Sequence, residues 1–141
     1  MANSTTADVA TKQVRAYAKG VDQTPRKISL VAGLVRGRSV ADALVILSHT
    51  PKRAAKPVAK VIASAQANAV NTHGVDSKTL QIQTISVTAG PRLKRFKPAS
   101  RGRALPFQKR TSHILVVVSG SEKVKKAPAA PAAVTAEEET K

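Results

Sequence analysis

Apolar and polar residues alternate in the first patterned segment of the chain, residues 11–19. Val14, Ala16 and Ala18 fall on one face of this segment, and a period of two predicts a short half-buried strand. Near the other end, residues 112–118 become continuously apolar after their second position. A strand of that kind is usually covered on both faces or central in its sheet, so we predict that it is the middle strand.

The apolar positions of residues 80–88 change parity midway. Leu80 and Ile82 share one parity, and Ile85 and Val87 share the other. An extra residue inserted into one strand produces such a phase change. The pattern therefore predicts a third strand with a bulge at the two residues after Ile82.

Apolar residues recur at helical spacing in the region between these strands. Thr24-Pro25 is a typical helix start, with Thr as N-cap and Pro at the first helical position, and Gly37 is a typical stop. The apolar stripe predicted for this helix consists of Ile28, Val31 and Val35, widened by Leu30 and Leu34.

Two more helices are predicted after it. Ser39 and Asp42 have the spacing of a capping box, which predicts a short second helix. Thr50-Pro51 repeats the Thr-Pro start and predicts a long third helix that ends near Asn71. Because Pro57 lacks an amide hydrogen, we expect either a mild kink or a later start of this helix.

The net charge of the chain indicates its function. The formal net charge is +16, and residues 1–120 carry all of it, because the four Lys and four Glu of the remaining residues cancel. An excess of this size destabilises a compact chain unless a partner neutralises it. Nucleic acid is the usual partner of so basic a domain.

The densest charge lies between Gly90 and Arg110, a stretch without any acid. Three prolines and two glycines exclude a helix there. Because predicted strands flank the stretch, we expect an extended basic β-hairpin over residues 88–112; a solvated, disordered loop is the alternative. The nucleic-acid-binding candidates here are Arg92, Lys94, Arg95, Lys97, Arg101, Gly102, Arg103, Lys109, Arg110 and His113.

A second group of candidates lies in the helical region. Lys52, Lys56 and Lys60 are spaced by four residues, which would place them on one face of the third helix. Like charges at this spacing destabilise a helix, so we interpret them as a ridge that faces phosphates, with a merely solvated face as the alternative. The full set of candidates in the globular part is Arg15, Arg26, Lys27, Lys52, Arg53, Lys56 and Lys60.

Catalytic and metal-binding patterns are not found. The three histidines and the scattered aspartates form no acid–base pair and no metal-ligand spacing. No phosphate-binding glycine loop or nucleophile motif occurs. We therefore expect no enzyme activity, no cofactor and no metal. With only three aromatic residues, we expect binding to RNA backbone and shape rather than base stacking.

Several blocks of the sequence resemble one family of bacterial ribosomal proteins, the twenty-second protein in the numbering of the large subunit. A hairpin of this family lines the nascent-peptide exit tunnel. The most specific block has Lys94, Ser100, Gly102 and Arg103, followed after nine residues by His113. Further matches are TPRKISLVAGLVRG, PVAKVIASAQANA and KRTSHILVVV. The resemblance covers about residues 11–119, with one departure at Ala99, where the family usually carries Arg.

This resemblance implies an α+β fold in which three helices pack on a three-stranded antiparallel sheet. It also implies binding to large-subunit ribosomal RNA, a role in subunit assembly, contacts with neighbouring large-subunit ribosomal proteins, and a hairpin that contacts the nascent polypeptide at the tunnel wall. The alternative is a free-standing basic architectural or RNA-chaperone protein.

We further expect a flexible N-terminus (1–10), one globular RNA-binding domain (11–120) and a disordered tail (121–141). No secretory signal or long apolar run is apparent. We therefore expect a cytoplasmic, ribosome-bound protein that neither contacts membranes nor forms homo-oligomers.

Overall fold

A computed structural model of the protein describes residues 12–121. The segments predicted to be unstructured, 1–10 and 121–141, lie outside the described residues, apart from Ser121. The elements in chain order are β1 (Lys12–Val21), α1 (Pro25–Val35), α2 (Val40–His49), α3 (Ala55–His73), β2 (Gln81–Pro98), a 3₁₀ turn (Ser100–Gly102) and β3 (Ala104–Gly120). This arrangement confirms the predicted α+β class.

The sheet is antiparallel with the strand order β1-β3-β2. The predicted central position of the last strand is therefore confirmed. Ile114, Val116 and Val118 of β3 are fully buried, whereas the intervening residues are only half-buried. One face of the sheet thus packs against the helices, and the opposite face is more open.

The predicted bulge in β2 is confirmed. The register with β3 shifts between Ile82 and Thr84. Because one residue is inserted there, Ile82 and Ile85 both point into the core, where each is only 1% exposed. The bulge explains why a strand with a broken alternation still has a single apolar face.

Helix α1 begins at Pro25 as predicted, and Thr24 is its N-cap. Its buried face is narrower than the sequence indicated. Leu30 and Leu34 are 69% and 47% exposed, so their predicted part in the apolar stripe is wrong. The buried face consists of Ile28, Val31, Ala32 and Val35, which is the i, i+3, i+4, i+7 spacing of one helix face.

Helix α2 has the predicted cap. The backbone amide of Asp42 donates to Ser39 Oγ at 3.1 Å, and Ser39 Oγ donates to Asp42 Oδ2 at 2.8 Å. A side-chain oxygen here satisfies one of the amides that a helix leaves unpaired at its first turn.

Helix α3 does not begin at Thr50-Pro51, so that start is wrong, whereas the later start that Pro57 led us to expect as one alternative is confirmed. Thr50 instead ends α2, where its Oγ1 donates to the carbonyl oxygen of Ile46 at 2.7 Å. The later start at Ala55 places Pro57 within the first helical turn, where the missing amide hydrogen leaves no bond unmade. Gly74 ends the helix in the left-handed conformation, with φ of 62°.

Strands β2 and β3 continue together beyond the globular domain. Their pairing resumes at Arg92 with Arg110 and ends at Pro98 with Ala104. We call residues 90–110 the arm. All residues from 91 to 98 and from 100 to 110 are exposed, and only Lys109 and Arg110, at the base of the arm, line a groove with residues of α1. No helix in the described part of the chain is long and apolar enough to span a membrane.

Candidate nucleic-acid interface

Five of the predicted cations converge on one groove at the base of the arm. We call it the basic groove, and its volume is about 570 Å³. Its cations come from three separate parts of the chain: the first turn of α1, the connection between α2 and α3, and β3. They are Lys27, Lys52, Arg53, Lys109 and Arg110.

The late start of α3 is what places two of these cations. Lys52 and Arg53 precede the helix. The spacing had suggested that Lys52 lies on α3 as part of a lysine ridge, and the structure places it before the helix instead. Because Pro57 fixes where the helix begins, the two residues stay in the connecting loop. From there they line the basic groove together with Lys27.

A single acid lines the basic groove within the described residues. Asp22, in the loop between β1 and α1, forms an ion pair with Lys109, with 3.1 Å between Oδ2 and Nζ. The side chains are 54% and 51% exposed, so water screens the pair. The groove's other four cations have no carboxylate partner among residues 12–121, and the groove therefore carries a strong positive field.

The remaining two lysines of the predicted ridge separate in the structure. Lys56 and Lys60 lie one turn apart on α3. Lys56 lines a groove between α2 and α3, and Lys60 lines a third groove between α3 and β1. Lys52 and Arg53 also line the groove between α2 and α3, so Lys52 and Lys56 still share one groove, whereas Lys60 lies in another.

The arm carries the other predicted cations along its length. Arg92, Lys94, Arg95, Lys97, Arg101 and Arg103 are all exposed, and none has an acidic partner among the described residues. Two of them have local contacts: Arg95 Nη1 donates to the Lys94 carbonyl oxygen at 2.8 Å, and Lys97 Nζ lies 5.1 Å from the centre of the Phe107 ring.

Cross-strand pairing gives the arm two different faces. Alternate side chains of a strand point to opposite faces, so the pairs Leu93–Lys109, Arg95–Phe107 and Lys97–Leu105 share one face. Each of these pairs joins one cation to one apolar residue. The opposite face has its cations near the base and becomes apolar towards the tip, with Arg92–Arg110, Lys94–Gln108, Phe96–Pro106 and Pro98–Ala104.

The tip is a tight turn that presents Arg101. Its backbone lies in the left-handed region with φ of 58°, and Gly102 follows with φ of 68°. The amide of Ala99 donates to the carbonyl oxygen of Arg103 at 2.8 Å and closes the turn. A non-glycine residue in this region is uncommon. Because Arg101 lies in the turn between β2 and β3, its guanidinium is at the end of the arm.

At the base of the arm the two strands approach unusually closely. A β-carbon at Gly90 would lie 2.5 Å from Thr111 Oγ1 and 3.1 Å from the Thr111 carbonyl carbon. Thr111 Oγ1 donates to the carbonyl oxygen of Pro91 at 2.8 Å. The register between the strands shifts at this point, between Ala89 and Arg92. Only glycine fits here, and the hydrogen bond links the arm to the last paired residues of the domain.

Besides Lys56 and Lys60, three predicted site residues lie away from both the basic groove and the arm. Arg15 is exposed on β1, and Arg26 is exposed on α1 but does not line the basic groove. His113 is in the domain part of β3, where its Nδ1 accepts a hydrogen bond from the Gly20 amide at 3.0 Å. That bond gives His113 a structural role, which its position in the sequence did not indicate.

Some residues of this surface were not predicted from the sequence. Asp22 and Leu30 line the basic groove. On β1, Lys19 Nζ lies 5.6 Å from the centre of the Tyr17 ring, and the rings of Tyr17 and His113 have centres 6.0 Å apart. The available signal was the alternation in β1, which places Tyr17 and Lys19 on the face opposite Ala16 and Ala18.

The described residues contain no group of three or more His, Asp or Glu side chains arranged to hold a metal ion. The chemistry of this surface is therefore that of exposed cations on a fixed backbone. Guanidinium and ammonium groups so arranged bind phosphate oxygens, Arg through paired donors and Lys as a point charge.

A comparison with known protein families identifies the family of the chain. Residues 16–119 match the family described as Ribosomal protein L22p/L17e. The match includes all three helices, all of the arm and nearly all of the sheet. The chain thus belongs to the Ribosomal protein L22p/L17e family, the structural large-subunit ribosomal proteins expected from the resemblance.

Proposed function

We propose that this protein binds large-subunit ribosomal RNA at two surfaces, the basic groove and the arm. The observation that supports this most directly is the convergence of five cations from three chain segments on one groove with a single acid. Isolated surface lysines are common and need no explanation. Cations that gather from distant segments, at a cost in mutual repulsion, indicate an anionic partner.

The two surfaces have different parts in this proposal. The basic groove lies on the folded domain and fixes the protein on the RNA. The arm extends nine residues of β2 past Ala89, which is about 30 Å at 3.3 Å per residue. An exposed two-stranded ribbon is only marginally stable by itself, so RNA phosphates that surround the arm would neutralise and order it.

In the subunit, we propose that the tip of the arm, near Arg101, lies at the wall of the nascent-peptide exit tunnel and contacts the nascent polypeptide. The domain would lie outside, against RNA and neighbouring ribosomal proteins, and would support subunit assembly. The length of the arm, the exposure of nearly all of its residues and the family membership of the chain support this placement.

Single lysine substitutions test the groove. Changing Lys27 or Lys52 to Gln removes one phosphate contact, so affinity for a large-subunit RNA fragment should fall and the log–log salt slope should decrease by about one. Lys78→Gln is the matched control, because Lys78 is exposed in the turn after α3 and lines none of the three grooves described above. Equal effects for all three variants would reject the groove as a specific site.

Subunit incorporation tests the larger proposal. The protein should co-sediment in stoichiometric amount with purified large subunits at high salt, and cross-links from the arm should map to the tunnel wall. A protein that washes off the subunit and binds any RNA equally well would instead be a free-standing RNA-binding protein. Cross-links from the arm to RNA on the outer surface of the subunit would reject the tunnel placement alone.

A further inference from the structure

The basic groove already accepts a carboxylate of its own chain. Asp22 Oδ2 lies 3.1 Å from Lys109 Nζ. Lys27, Lys52, Arg53 and Arg110 have no such partner among residues 12–121. No carboxylate among residues 12–121 relieves the repulsion between these four charges, so a further carboxylate cluster that can reach them would be attracted there.

The chain contains such a cluster outside the part that matches the family. The match ends at residue 119, and Glu137, Glu138 and Glu139 follow near the C-terminus. They are the only consecutive acidic residues in the sequence. Because the groove has five cations and one acid and the C-terminal segment carries this acidic cluster, the two are complementary in charge.

Chain length allows the cluster to reach the groove. Ser121 is anchored at the C-terminal end of α3, where its carbonyl oxygen accepts a hydrogen bond from the Asp76 amide at 3.1 Å. The groove lies at the opposite end of α3, and 19 helical residues span about 28 Å. The 16 residues from Ser121 to Glu137 can extend to about 55 Å, which is ample for this path.

We propose that the segment Glu137–Glu139 binds the basic groove while the protein is free of RNA, and that RNA phosphates displace it. The inference rests on the proposed function, because it takes RNA phosphate to be the competitor at the same groove. An intramolecular segment of this length acts at an effective concentration in the millimolar range. Contacts that are individually weak are therefore enough to occupy the groove in the free protein.

The lysines of the C-terminal segment itself are the competing partners. Lys123, Lys125, Lys126 and Lys141 are closer to the glutamates along the chain, which favours them through loop closure. The basic groove is favoured as the binding site of the glutamates by its positive potential. The fold holds its cations close together, and a groove concentrates the electrostatic potential of the charges that line it. Cross-linking distinguishes these two partners.

The first experiment uses the full-length chain without RNA. A carbodiimide joins carboxylates to amines that are in direct contact, and mass spectrometry identifies the joined residues. The expected product links Glu137–Glu139 to Lys27, Lys52 or Lys109, and adding a short oligouridine suppresses it. Links confined to Lys123, Lys125, Lys126 and Lys141, or to Lys94 and Lys97 further along the arm, would overturn the proposal.

The second experiment measures oligouridine affinity in a double-mutant cycle. E137Q/E138Q/E139Q should bind about 3- to 10-fold more tightly at low salt, as expected when an intramolecular competitor is removed, and the gain should disappear at high salt. In a Lys27→Gln, Lys52→Gln background the gain should shrink, because the competitor's site is impaired. An unchanged gain in that background would show an effect of net charge alone and would overturn the proposal.

A Lys94→Gln, Lys97→Gln background is the matched control. It removes the same charge from the arm and should preserve the full gain, because sites without shared partners are additive. The two proposals can also fail separately. Groove substitutions that weaken oligouridine binding without any cross-link from Glu137–Glu139 would leave the RNA site intact and reject only the intramolecular contact.

Discussion

Gly90→Ala should destabilise the protein because the base of the arm has no room for a side chain. The added β-carbon would lie 2.5 Å from Thr111 Oγ1, 3.1 Å from the Thr111 carbonyl carbon and 3.2 Å from the Ser112 amide nitrogen. The hydroxyl could turn away only by losing its 2.8 Å hydrogen bond to the Pro91 carbonyl oxygen. The backbone atoms cannot turn away, and Ser112 is fully buried.

The magnitude follows from opposing effects. Overpacking of this kind costs about 1–3 kcal/mol, whereas replacing Gly by Ala restricts the unfolded chain and contributes about 0.4–1 kcal/mol in the other direction. The free energy of unfolding should therefore fall by roughly 1–2 kcal/mol. Urea unfolding followed by far-ultraviolet circular dichroism measures it.

Gly33→Ala is the matched control. Gly33 is in the last turn of α1, and a β-carbon there would have no neighbour within 4 Å. The same substitution should raise the free energy of unfolding by about 0.5–1 kcal/mol, because Ala is the better helix former. A Gly90→Ala protein as stable as Gly33→Ala would refute the close approach of β2 and β3. Adding Thr111→Ala to Gly90→Ala should recover part of the loss.

Three more substitutions test other parts of the structure. Ser39→Ala removes both hydrogen bonds to Asp42 and should lower the free energy of unfolding by about 1 kcal/mol; no loss in urea titration would contradict the cap. Asp22→Asn breaks an exposed ion pair with Lys109, so stability should change by less than about 1 kcal/mol, while oligouridine affinity rises about two- to fivefold; a fall in affinity would mean that Asp22 orients the site. Replacing residues 93–109 by Asn-Gly, which forms a tight hairpin turn, should leave the domain folded within about 0.5 kcal/mol, and a domain that fails to fold would contradict an independent arm.

Short-range patterns predicted most of the fold. The alternation around Val14, the Ser39 cap, the parity change after Ile82 and the central apolar strand all depend on neighbours within a few residues, and the structure confirms each of them. The sequence leaves the start of α3 open between two outcomes because two local signals conflict there. Thr50-Pro51 resembles a start, but Pro57 would kink a helix that began there, and the structure shows the later start instead.

The basic groove could not be predicted by the same means. Its cations were each recognised as candidates, but Lys27, Lys52 and Lys109 are far apart in the sequence and meet only through tertiary packing. A regular spacing instead suggested a ridge on one helix. Asp22 was missed for the same reason, since nothing in its own loop indicates that Lys109 lies 3.1 Å away.

A last consequence concerns β3, which runs without a break from the tip of the arm to the centre of the sheet. The arm acts as a lever whose pivot lies at Gly90 and Thr111. For a lever of about 30 Å, a rotation of 10° at the pivot would displace the tip by roughly 5 Å. That displacement exceeds the distance of about 3 Å between the two heavy atoms of a hydrogen bond. The position of Arg101 is therefore only as well defined as the angle at the pivot. Stiffness at the base, where one hydrogen bond and one glycine set the strand separation, determines how accurately the far end is placed.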